Sequence, residues 1–177
     1  ILFCRRFRLM IILIIPIGAP GSGKTTLKKH LKDILPNFYT TERDEEFSKL
    51  RKNNSLKKTR KYLYDLLETF LDEIKTINQK NPTTKHYVYL DSSNSKINCR
   101  ERFYQKLRPK KIIELNFNLP KEVLTHRVRT REHPTFPSDP SKQDIMMDNI
   151  RDNIEFSDPL DKRITKIYIN EPKTLEE

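Results

Sequence analysis

The chain has 177 residues, of which 35% are hydrophobic and 33% charged, and it carries a net charge of +11. That length suits one compact domain with a core of its own, and regular apolar segments exclude a disordered chain. Two cysteines, Cys4 and Cys99, offer no disulfide framework and no metal-ligand spacing, so an intracellular, cytoplasmic setting is expected.

Residues 9–17 form an apolar run that is far too short to span a membrane, so it reads as a first buried strand and no membrane partner is expected. Met10 would start the fold at that strand, which makes residues 1–9 an upstream or incidental extension. Pro16 inside the strand removes a ladder hydrogen bond and predicts a bulge or an early end to pairing. A glycine-rich turn and a helix over 25–35 follow, then a short strand over 38–40 and a polar helix over 45–51. Apolar residues at Tyr62, Leu63, Leu66, Leu67, Phe70, Leu71, Ile74 and Ile77 predict a long helix over 58–78.

Residues 87–90 read as a strand closed by Asp91, and 98–107 as a helix stopped by Pro109. A strand over 111–115 comes next. Pro120 then opens a helix that bears Arg127, Arg129 and Arg131 towards its end. Pro134, Pro137 and Pro140 mark 132–141 as a loop. A helix over 142–154 and a strand over 163–169 complete the chain. This alternation predicts an α/β fold: a parallel sheet of about five strands flanked by helices on both faces.

The positive charge is unevenly spread. Residues 1–95 are net +8, residues 96–131 again +8, and residues 132–177 net −5. A dense basic block before an acidic tail suits a polyanionic partner; a solvated lysine-rich surface is the plainer alternative.

Gly18-Ala19-Pro20-Gly21-Ser22-Gly23-Lys24-Thr25 matches GxxxxGK[ST] without substitution, between an apolar strand and a helix. In such a loop, backbone N–H groups and a helix N-terminus surround phosphates. Lys24 reaches the β- and γ-phosphates, Thr25 ligates Mg²⁺, and Thr26 continues the cradle. The three glycines of the chain all lie here. The whole chain, 1–177, therefore reads as one P-loop domain that binds ATP or GTP with Mg²⁺, and the motif is silent about which reaction follows.

The stretch 8–50 resembles the kinase domain of the bacteriophage polynucleotide kinase family. The likeness rests on GAPGSGKTT, then Pro36-Asn37-Phe38-Tyr39 and Glu42-Arg43-Asp44, and it extends more loosely through Asp91 to Arg131. The kinase modules of fungal-type tRNA ligases are similar as well. The resemblance implies phosphorylation of 5′-hydroxyl ends of DNA or RNA, with Asp44 as general base; a helix cap is the other role open to Asp44. It implies that Asp91 stands near Mg²⁺, although a turn capped by Ser92, Ser93 or Asn94 would also explain that position.

Arg127 and Arg131, four apart, would share a helical face before a proline-rich lid, where the resemblance makes Arg131 the lid arginine; a solvated basic face is the alternative. Arg129 would point elsewhere, towards nucleic-acid phosphates. Where the family has a phosphate-gripping Arg, this chain has Phe47, so Arg43, Arg51 or the Phe47 ring is expected to meet the substrate. A kinase of a small metabolite or nucleoside is the alternative function. No DxDGT phosphatase or KxDG ligase signature is present, so any partner activities would sit on other chains.

Overall fold

The structure, a computed structural model, describes residues 10–41, 43–130 and 139–170, and for residues 43–45 and 51 the backbone alone. In chain order the elements are β1 (Ile11–Ile17), α1 (Lys24–Ile34), β2 (Phe38–Thr40), α2 (Arg43–Arg51), α3 (Leu56–Lys80) and β3 (His86–Tyr89). They continue with α4 (Ile97–Leu107), β4 (Lys111–Phe117), α5 (Lys121–Arg129), α6 (Pro140–Asp152) and β5 (Ile164–Ile169). The five strands form one sheet in the order β2-β3-β1-β4-β5, with every pairing parallel.

Alternation along β1 divides the core. Ile11, Leu13, Ile15 and Ile17 face one side, with Leu71 and Ile74 of α3 and Phe103 and Leu107 of α4. Ile14, with Ile12, faces the other side, where Leu27 and Leu31 of α1 pack. A strand buried on both faces has to be apolar at every position, which is why β1 shows no polar alternation. A third cluster joins Ala19 of the loop to Leu124 and Val128 of α5 and Met147 of α6. It anchors the phosphate loop to the helices beyond β4.

Pro16 introduces no bulge. β1 stays in one-to-one register with β4 from Ile12 to Ile17, whereas its pairing with β3 stops at Ile14. The Pro16 carbonyl faces the β3 side, where the Asn94 side-chain amide donates to it at 2.8 Å. The missing N–H thus falls just past the end of the β3 ladder, where it breaks no bond.

Two boundaries differ from expectation for local reasons. Pro140 lies within α6 rather than in a loop, because the Asp139 carboxylate caps the helix by accepting from Ser141 and Lys142 N–H groups. A proline is well placed just after such a cap. Helix α2 begins at Arg43. Asp44 is therefore inside its first turn and does not precede the helix as a cap.

Candidate nucleotide-binding site

The phosphate loop leaves the C-terminal end of β1 and runs into α1. Gly21 and Gly23 have φ of 79° and 99°, in the left-handed region that glycine alone enters cheaply. Gly18 serves a different purpose. A Cβ there would come within 2.8 Å of the Phe117 Cβ, so this glycine permits close packing of the loop on β4. At Gly21 both limits apply, since a Cβ would also meet the Leu124 carbonyl at 3.1 Å.

Lys24 folds back on the loop. Its ammonium donates to the Gly18 and Ala19 carbonyls at 2.8 and 2.7 Å and to Ser22 Oγ at 3.3 Å. The Gly18 N–H is tied to the Ser93 carbonyl at 3.3 Å, and the Tyr89 hydroxyl donates to the Lys24 carbonyl at 2.8 Å. Burial, and then the Asp91 charge, push the Tyr89 phenol well above its ordinary pKa, so it stays a donor. Gly23 caps α1 without a side chain, and the first turn of α1 holds no carboxylate. The leading N–H groups of α1 and its positive dipole end are thereby left for an anion. Thr25 is exposed beside them, and Pro20 and Thr26 are half-exposed. These features fit the phosphates of a nucleoside triphosphate with its Mg²⁺.

Asp91 follows β3 and forms an ion pair with Lys28 of α1, Nζ to Oδ2 2.8 Å, with both side chains largely buried. Sequence reading missed Lys28, although its spacing of four from Lys24 places both on one face of α1. Asn94 is among the residues expected to cap the turn at Asp91. It adopts φ 47° and its amide bridges the carbonyls of Pro16, Leu90 and Ser92, which fixes the Asp91 turn against the loop.

Arg127 of α5 donates to the Gly21 carbonyl at 3.2 Å, so its guanidinium lies at the phosphate loop. Arg129 instead pairs with Asp144 of α6, one Nη2 meeting both carboxylate oxygens at 3.0 and 2.7 Å. Helix α5 ends at Arg129 with Thr130 as its cap. Arg131, and with it most of the loop expected over 132–141 as a lid, lies outside the described residues. Phe47 is half-buried on α2, and the side chains of Arg43, Asp44 and Arg51 lie outside the described set. No group of three or more His, Cys, Asp or Glu suited to a metal occurs among the described residues. Nor is any described helix long and apolar enough to cross a membrane.

A family model described as "AAA domain" matches residues 13–153. The chain belongs to the AAA domain family. That match runs from β1 through the phosphate loop into the end of α6. No curated protein matches the chain. Among solved structures, a proposed kinase from Chloroflexus aurantiacus J-10-fl is 21% identical, with TM-score 0.62, covering 90% of this chain and 88% of that one. A fungal RNA kinase is 18% identical, with TM-score 0.58, covering 94% and 76%. A gluconokinase from Sinorhizobium meliloti 1021 is 18% identical, with TM-score 0.52, covering 95% and 86%. At such identities the likeness is one of fold: a P-loop sheet shared by kinases with unrelated acceptors.

The basic block has a different environment from the one expected. Lys96 pairs with Glu155, Arg102 and Lys106 with Glu68, Lys121 with Asp148 and Arg129 with Asp144. Arg100 is fully buried against Glu114. Three of these carboxylates come from the acidic segment after residue 139, so the chain itself supplies much of the countercharge that the sequence had suggested for a partner.

Proposed function

We propose that this chain transfers the γ-phosphate of ATP or GTP to the 5′-hydroxyl end of a DNA or RNA strand. The observation that carries the reading is the phosphate loop, whose glycines, lysine and uncapped helix converge on one anion site. The acceptor side rests on Asp44 in the first turn of α2, directly after β2, on the motif resemblance to polynucleotide kinases, and on the fold shared with an RNA kinase.

Thr25 and Asp91 would hold Mg²⁺, which would supply positive charge to offset that of the triphosphate. Lys24 leaves its loop carbonyls for those phosphates. The Asp44 carboxylate takes the proton of the 5′-hydroxyl as that oxygen bonds to the γ-phosphorus. The bond to the bridging oxygen breaks and the nucleoside diphosphate departs. Arg127, with Arg131 from the lid, offsets charge on the transferred phosphoryl group. On this reading the acceptor strand meets Arg43, Arg51 or the ring of Phe47.

A second reading, a kinase of a small metabolite or nucleoside, draws on the internal pairing of the basic block, which leaves less charge for a strand there. Labelled γ-phosphate transfer from ATP and GTP to 5′-hydroxyl DNA and RNA decides between the two. Transfer that Lys24→Ala and Asp44→Ala both abolish supports the strand reading. Donor binding without transfer to any oligonucleotide overturns it in favour of the small acceptor.

A further inference from the structure

A second concentration of basic residues, free of any carboxylate, lies outside the basic block. Between Phe47 and Tyr64 the sequence has seven Lys or Arg and no Asp or Glu. Lys49 pairs with Glu46 of the preceding turn. Lys52, Lys57, Lys58, Arg60 and Lys61 are exposed, and none forms an ion pair among the described residues. The contrast with the internally neutralised block is one of degree and of place.

The place follows from lengths. Helix α3 has 25 residues and so rises about 37 Å, whereas the strand it leads into, β3, has 4 residues and spans about 13 Å. The far end of α3 is fixed at the start of the sheet, where the Asn78 Oδ1 accepts from the Met10 N–H at 3.0 Å. Only its second half, through Leu67, Phe70, Leu71 and Ile74, joins the sheet core. Its first turns therefore stand past the C-terminal ends of the strands, on the side where the phosphate loop opens and beside α2, which bears Asp44.

These cations are placed against helix electrostatics. Lys57 and Lys58 occupy the first turn of α3, which holds no carboxylate, and a positive dipole end disfavours cations there. Exposed Tyr62 adds an aromatic face among them. Tyr64 is capped by the Arg102 guanidinium at 4.3 Å from the ring centroid.

We propose that the α2–α3 hairpin, through Lys52, Lys57, Lys58, Arg60, Lys61 and Tyr62, is the surface along which a single-stranded nucleic acid lies as its 5′ end enters the site. Spaced cations track a phosphate backbone and an aromatic face stacks on bases without reading sequence. The inference rests on the nucleic-acid acceptor proposed above.

The test is anisotropy of a 3′-labelled, 5′-hydroxyl single strand titrated with the full chain over a range of salt. The quadruple variant Lys57→Ala, Lys58→Ala, Arg60→Ala, Lys61→Ala is compared with Lys110→Ala, Lys111→Ala, at the opposite end of the sheet, after thermal melting shows both folded. The hairpin variant is expected to bind at least about tenfold more weakly at physiological salt, with a log–log salt slope shallower by about 3. The Lys110, Lys111 variant keeps wild-type affinity. Equal binding by the hairpin variant and wild type overturns the surface even where phosphate transfer to oligonucleotides is intact. Loss of binding to phosphatidylserine vesicles alone overturns it in favour of a membrane. Strand binding that depends on the hairpin, without transfer to any oligonucleotide, upholds the surface and overturns the acceptor reading instead.

Discussion

Lys28 on α1 and Asp91 after β3 meet at 2.8 Å with side-chain exposures of only 8% and 14%. The pair joins the helix that begins at the phosphate loop to the turn expected to face Mg²⁺. Removing one member leaves the other charge partly desolvated and without that partner. Lys28→Met and Asp91→Asn should each cost about 2–3 kcal/mol, below the figure for a fully buried pair, as measured by urea unfolding. Asp91→Asn should in addition raise the Mg²⁺ concentration needed for activity, and equal Mg²⁺ titrations for the two variants would remove Asp91 from the metal site.

Lys24→Ala should lower the transfer rate about 10²–10³-fold by removing a charge aimed at the phosphates. Asp44→Ala should lower it about 10²–10⁴-fold while leaving donor affinity near wild type. Nucleotide binding by calorimetry beside single-turnover transfer separates the two effects.

Glu114 is fully buried in β4. Its Oε1 accepts from the hydroxyls of Tyr104 and Ser157 at 2.7 and 2.6 Å and lies 3.0 Å from Arg100 Nε. The Arg100 contact is ionic and off the N–H direction, while its other nitrogens donate to the carbonyls of Asn94 and Glu155 at 2.7 Å. This network links the sheet to the turn behind Asp91. Glu114→Gln strands the Arg100 cation and should cost about 3–5 kcal/mol. A urea midpoint close to wild type would show that the carbonyls alone satisfy Arg100.

Acid should weaken the fold by a predictable route. Hydrogen bonds from the Arg163 side chain and backbone hold the Asp161 carboxyl down at about 2, from an ordinary 3.8. The Lys106 ammonium, against the opposing effect of burial, likewise holds Glu68 below its usual range. Since the folded pKa values lie below the unfolded ones, the unfolded chain binds more protons in that window. The stability these groups add is complete above the unfolded values and fades as pH falls from about 4 towards 2. Asp161→Asn should flatten the curve of melting temperature against pH over that interval.

Charge reversal at the start of α3 separates stability from binding. Lys57→Glu with Lys58→Glu places carboxylates at the positive end of the helix dipole and should stabilise by about 0.3–1 kcal/mol each. The same variant should lose single-strand affinity. A higher melting temperature with unchanged strand binding would leave the hairpin an ordinary solvated surface.

The phosphate loop, the alternation of strands and helices and the long α3 were legible because each is written in local patterns: glycine spacing, apolar period and capping residues. Net charge summed over 1–95 hid the acid-free run 47–64 among the carboxylates around it, although the residues were in plain view. Asp44 could be placed after β2, but its position inside the helix turns on where α2 starts, a boundary that neighbouring residues and packing set together.

The sequence by itself determined the nucleotide loop, the α/β class and the parallel sheet, since these follow from short-range stereochemistry and burial on both faces of β1. Only the tertiary structure decided the strand order, the fate of Pro16 and which cations are already matched. Arg102 reaches Glu68 across 34 residues of chain, and Lys96 reaches Glu155 across 59. Coulombic pairing falls off over a few ångströms in salt water, so a charge finds its partner by spatial approach, and sequence distance carries almost none of that information.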